Sequence, residues 1–73
     1  MKLYEVNRDT LVYVYSLDKS LYFRNIDGLY SFCQDHDGYV YHISAITNVR
    51  VLRPMKEDEI IELDGITYKE FVY

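Results

Sequence analysis

The run Ser20-Leu-Tyr-Phe-Arg-Asn-Ile-Asp27-Gly28-Leu-Tyr-Ser-Phe-Cys-Gln34-Asp-His-Asp37-Gly38-Tyr-Val-Tyr-His-Ile-Ser44 decides the fold. Each Asp-Gly pair stands between segments in which apolar and polar residues alternate. That combination predicts a β-hairpin, because both central residues of a type I′ turn need positive φ. Asp64-Gly65 repeats the signal and uses the last of the three glycines. Three such turns with no glycine to spare predict an all-β chain of hairpins.

Working outward, strands are expected at 11–16, 20–26, 29–34, 39–44 and 49–53. Asp18-Lys19 turns the chain after the first strand, and Ala45-Ile46-Thr47-Asn48 make an irregular turn before the fifth. Pro54 marks a boundary. An acidic connector at 54–59 follows, then a closing hairpin of 60–63 with 66–71. Only 55–62 could hold a short helix, since no longer stretch has a clean 3.6-residue period.

Two-residue loops fix register, so the turns also predict neighbours across strands. Phe23 should face Phe32, and Phe32 should face Ile43. Leu21, Gln34 and Tyr41 then share that inner face, as do Asn25, Tyr30 and Ala45. The outer face would carry Tyr22, Cys33 and His42 in one row and Arg24, Ser31 and Ser44 in another. In the last hairpin Ile61, Leu63, Ile66 and Tyr68 fall on one side, suited to covering an edge of the sheet.

A chain of 73 residues bounds the count at one domain, near the lower limit for a self-sufficient core. The expected division is a neutral barrel core over 1–53, the connector, and the closing hairpin over 60–73. Cys33 is the only cysteine, which excludes an intrachain disulfide. With His36 and His42 it completes the set of soft ligands, too few for a four-ligand zinc site. No metal and no cofactor is expected. Apolar and aromatic side chains must therefore supply the core, and the nine tyrosines favour pleated, half-buried surfaces. No apolar run approaches the roughly 20 residues that span a bilayer. The opening Met1-Lys2-Leu3-Tyr4-Glu5 runs into Asn7-Arg8-Asp9, unlike a secretory signal. The expectation is a cytoplasmic protein with no membrane partner.

The net charge of −4 is unevenly placed. Residues 1–53 hold six acids and six bases, whereas 54–73 hold six acids against Lys56 and Lys69. Broad binding to a phosphate backbone needs clustered Lys and Arg, so long nucleic acid is disfavoured.

The stretch from Gly28 to Leu52 resembles the second half of a Src-homology-3-like barrel. There a central hairpin leads to a strand, one tight helical turn and a closing strand, here 29–34, 39–44, 45–48 and 49–53. The resemblance implies a small five-stranded antiparallel barrel over residues 11–53. Peptide-binding members carry a tryptophan at the start of the central hairpin, and this chain has none, so binding of Pro-rich peptides is not implied. The opening Met1-Lys2-Leu3-Tyr4-Glu5-Val6 and the central Asp27-Gly28-Leu29-Tyr30-Ser31 are similar to small accessory proteins of tailed bacteriophages. That similarity implies a partner protein in the host and a place in the host cytoplasm.

Several residue groups could carry chemistry. Cys33 and His42 would be neighbours on the outer face, the placement of a thiolate–imidazolium pair. No orienting third group or strained elbow accompanies them, so no catalytic residue is assigned and the chain is read as a non-enzyme. Asp35-His36-Asp37-Gly38 has the look of a calcium-loop fragment, but the later bidentate glutamate is missing and the segment reads as a turn. Tyr22, Arg24, Ser31, His42 and Ser44 could stack a base and hold one phosphate. Tyr13, Tyr15 and Tyr39 could form an aromatic interaction patch. Glu57, Asp58 and Glu59 could steer the chain toward a basic surface.

The leading expectation is a non-enzymatic binding module that engages a host protein through Tyr13, Tyr15, Tyr39 and the acidic segment. The alternative is a small-ligand binder that captures a nucleotide or cyclic-nucleotide signal on the outer strand face. Homo-oligomerisation stays open, because so small a core gains from an interface.

Overall fold

The structure is a computed structural model that describes residues 1–60 and 70–72. Among these residues six strands form one sheet: β1 (Thr10–Val14), β2 (Lys19–Asp27), β3 (Tyr30–Gln34), β4 (Val40–His42), β5 (Val49–Pro54) and β6 (Glu70–Val72). Their order is β5-β1-β2-β3-β4-β6. The first five pair antiparallel, and β6 runs parallel to β4. The fold is thus all-β, as expected. Among the described residues β5 and β6 remain the two edges, so the sheet is open and not a closed barrel. The expected closing hairpin lies outside the described residues apart from β6, which sits beside β4.

Short helical turns punctuate the strands. Leu3–Glu5 and Tyr15–Leu17 are single 3-10 turns, and α1 (Glu57–Ile60) is one α-helical turn inside the window where a helix was allowed. Asp18 ends the second 3-10 turn at φ 50°, a left-handed conformation that aspartate tolerates better than most residues. The reversal expected at Asp18-Lys19 is therefore the four residues Tyr15 to Asp18, since β1 ends at Val14 and Lys19 already pairs with it in β2.

The expected division into faces does not hold. Phe23 lies opposite Cys33, and Cys33 opposite Tyr41. Phe32 leaves the Phe23–Ile43 row and instead meets His42 edge-on, with ring centroids 5.8 Å apart. Two local features cause this. The register of β2 on β3 shifts between Phe23 and Asn25, leaving Arg24 as an extra residue that flips every side chain beyond it. The loop at Asp37-Gly38 is not a two-residue turn either. Asp35 N bonds Tyr39 O at 3.1 Å, so three residues are enclosed, and Gly38 takes φ 87°. This is the longer hairpin loop whose last residue is left-handed, and its odd length reverses the parity again. Asp35 Oδ1 secures the loop by accepting from Asp37 N and Tyr39 N at 2.9 and 3.0 Å. At the other hairpin Asp27 pairs with Tyr30, so the loop is Gly28-Leu29, with Gly28 at φ 63°.

The core is consequently Leu3, Val6, Val12, Val14, Leu21, Phe23, Cys33, Tyr41, Ile43 and Val49. β1 supplies Val12 and Val14 to one face by simple alternation, and Leu3 and Val6 plug the end from the N-terminal segment. Each large aliphatic or aromatic side chain here contributes about 1.5–3 kcal/mol through removal from water. Tyr22 lies opposite Gln34 and Leu11, on the face turned away from this core. That second face positions the site.

Candidate functional site

A hollow of about 220 Å³ opens on the second face, lined by Tyr22, Arg24, Gln34, Asp35, His36, Gly38, Asp58 and Glu59. Three remote pieces of chain meet there: the middle of β2, the end of β3 with its loop, and α1. A neighbouring hollow, lined by Lys19, Ser20, Asp35, His36 and Asp37, continues over the same loop.

Glu59 organises the wall. Its carboxylate accepts from Arg53 Nη1 and Nη2 at 2.8 and 3.1 Å and from Lys56 N at 2.7 Å. The bond from Lys56 N, three residues back, satisfies an otherwise orphan donor at the start of α1. Tyr22 Oη donates to Glu59 Oε2 at 2.7 Å. The Arg53 guanidinium first, then Lys56 N–H and the Tyr22 hydroxyl, hold the carboxyl well below the usual carboxylate range. Burial, helped by the bond to Glu59, pushes the Tyr22 phenol up. Tyr22 has one proton and gives it to Glu59. The 3.0 Å contact between Tyr22 Oη and His36 Nδ1 therefore runs from Nδ1–H to the phenol oxygen. The two rings meet edge-on at 4.9 Å.

Arg24, the bulge residue, is only 7% exposed. Its Nε lies 3.1 Å from Asp9 Oδ1. That contact is an ion pair whose alignment falls short of a hydrogen bond. Nη1 reaches Glu59 O at 3.3 Å and Met55 Sδ at 3.8 Å. The guanidinium thus fastens the Asp9 turn and α1 to β2. Gln34 is 5% exposed, and its Nε2 has no hydrogen-bond partner among the described residues.

The five residues expected to form a nucleotide platform are not brought to one surface. Tyr22 and Arg24 line the hollow. Ser31 is buried on the core side and donates to Ile43 O at 2.9 Å. His42 packs against the Phe32 ring, and Ser44 Oγ accepts from Ile46 N in the bend after β4. Nor do Cys33 and His42 meet. Cys33 is buried beside Ser31 Oγ at 3.4 Å, and burial pushes its thiol up to about 12.

Of the expected interaction residues, Tyr13 and Tyr15 touch edge-on at 5.3 Å, with the Arg50 guanidinium 5.5 Å over the Tyr13 ring. Tyr13 Oη donates to Asp18 Oδ1. Tyr39 instead packs against the core. Glu57 and Asp58 are exposed on α1, whereas Glu59 turns inward as described. The Asp35-His36-Asp37 loop joins the acids of α1, a convergence that sequence reading missed. Gln34, expected on the inner face, lies opposite Tyr22 and lines the hollow. A polar residue at a supposed core position was the available warning. A second unforeseen feature lies at the opposite end of β3. Tyr4, Leu29, Tyr30 and Ile46 are exposed there, on segments joined through Ala45 by the bonds Tyr4 N to Ala45 O and Ala45 N to Leu29 O.

Among the described residues no group of three or more His, Cys, Asp and Glu is placed to hold a metal ion. No described helix is long and apolar enough to cross a membrane. Comparison with known proteins returns no matching family model, no matching curated protein and no matching solved structure.

Proposed function

We propose that this chain is a non-enzymatic binding module, of the kind tailed phages encode, that docks its acidic end on a basic surface of a host protein. One observation carries the reading: Asp35 and Asp37 from the β3–β4 loop and Asp58 from α1 gather around adjoining hollows, although more than twenty residues separate them. Clustered charge of one sign steers association and selects a partner of opposite sign. The bonds from Tyr22 Oη and Arg24 Nη1 to Glu59 hold α1 against β2, and the Glu59–Arg53 pair ties it to β5, which keeps the exposed acids in place. The aromatic pair of half-buried Tyr13 on β1 and exposed Tyr15 just after it would add apolar contact area.

The Src-homology-3-like type remains part of the proposal. Support for it comes from the order β5-β1-β2-β3-β4, the bulged β2 and the short turn between β4 and β5. Nucleotide capture draws less support, because Arg24, its phosphate ligand, is buried against Asp9 and Glu59.

The test is affinity capture from bacterial lysate followed by mass spectrometry, with the native chain and with Glu57→Lys/Asp58→Lys. The native chain should retain a discrete basic protein that the charge-reversed chain releases. Equal retention by both would refute docking through the acidic end.

A further inference from the structure

We infer that the hollow between Tyr22, Gln34, His36 and Asp58 is a receptor for one arginine side chain supplied by that partner, a reading that rests on the protein-docking function proposed above. The charge balance of the lining comes first. Glu59 is matched by Arg53, and Arg24 faces Asp9. Asp35 accepts from Asp37 N, Tyr39 N and Tyr41 Oη, and Lys19, which lines the adjoining hollow, donates to that tyrosine hydroxyl at 3.0 Å. Asp58 is exposed on α1 and forms no hydrogen bond or ion pair among the described residues. Two carboxylates thus leave the hollow electronegative, and a cation is the complementary occupant.

Gln34 points to a ligand independently of charge. It belongs to the hollow's lining, it is 5% exposed, and its Nε2 lacks a partner among the described residues. Buried amides are ordinarily paired, because an unmade bond there is not replaced by water. No other side-chain hydrogen bond of Gln34 occurs among the described residues. The amide can therefore turn about its last torsion and offer Oε1 to a donor entering the hollow.

Shape and donor count select guanidinium over ammonium. Tyr22 and His36 present aromatic walls, against which a planar, weakly hydrated cation packs well. The available acceptors are spread between Gln34 at the buried end and Asp58 at the exposed end. A forked group with five N–H donors spans separated acceptors better than a compact point charge does.

The experiment is an NMR titration of the ¹⁵N-labelled full chain with three capped peptides, Ac-Gly-Arg-Gly-NH2 and its lysine and citrulline counterparts. Citrulline keeps the shape of arginine without its charge. The arginine peptide should move the Gln34 side-chain NH2 signals and the His36 and Asp58 amides with one saturable constant. Asp58→Asn, a change at an exposed position, should weaken that constant at least five-fold while leaving the spectrum folded. The citrulline peptide should not saturate, and the lysine peptide should bind more weakly than arginine. Gln34 signals that stay still, citrulline binding equal to arginine, lysine binding as tight as arginine, or Asp58→Asn binding like the native chain would each overturn the assignment. Capture of a basic protein that persists in such a case would leave protein docking standing and remove only the arginine receptor.

Discussion

Tyr22 gives its phenolic proton to Glu59 across 37 residues of sequence, and the 2.7 Å bond ties the middle of β2 to the single turn of α1. Glu59 also accepts from Arg53 and from Lys56 N, so one carboxylate joins three segments. The acidic end is therefore a built surface, with a defined geometry relative to the sheet.

Glu59 should make stability pH-dependent. Its folded carboxyl titrates well below the unfolded value of about 4.3. The stabilisation is complete at neutral pH and is lost as pH falls through the acid range toward the folded value. Thermal melts should show Tm of the native chain dropping below about pH 4. Glu59→Gln should start from a lower Tm at pH 7 and fall less steeply. Parallel curves for the two chains would contradict this role.

Arg24→Ala should destabilise the fold by about 2–3 kcal/mol, since it strands the Asp9 carboxylate and removes the bond to Glu59 O. Urea denaturation measures it directly. A loss below about 0.5 kcal/mol, the range of an ordinary surface change, would place Arg24 among exposed residues instead.

Cys33 should be inert in the folded chain. With a thiol at about 12 and no exposed surface, its labelling by iodoacetamide at pH 8 should be at least a hundred-fold slower than that of an unstructured peptide. In urea the rate should become that of the peptide. Labelling at the peptide rate without denaturant would mean that Cys33 faces out.

Gly28→Ala isolates backbone strain from packing. An added Cβ meets nothing within 4 Å, yet φ is 63°. The cost should be that of a left-handed non-glycine residue, about 1–2 kcal/mol in chemical denaturation, with the spectrum otherwise unchanged. No measurable loss would argue for a different turn.

The existence of β1 to β5 and the pairing of β2 with β3 and of β3 with β4 were legible from the alternation and the Asp-Gly pairs, because those cues act locally. The place of β5 beside β1 was not legible from them, and neither were the faces. Register was inferred from loop length, and Arg24 as a bulge residue and Asp35 as the anchor of a three-residue loop each changed the count by one. Neither has a strong local signature: arginine is unremarkable in a strand, and Asp-His-Asp-Gly serves two loop lengths equally well. The site followed the same logic. Tyr22 and Asp58 were recognised as surface candidates, but their meeting with Gln34 and His36 depends on α1 folding back over β2. Glu59 and Arg24 bring that about through contacts between residues far apart in sequence.

Hydrogen–deuterium exchange on the complex with a captured partner tests the central claim most directly. Slowed exchange at 35–38 and 56–59 on partner binding, with Leu29 and Ile46 unaffected, is the predicted footprint. Protection confined to the apolar end around Tyr4, Leu29, Tyr30 and Ile46, with the acidic loop and α1 unchanged, would contradict it.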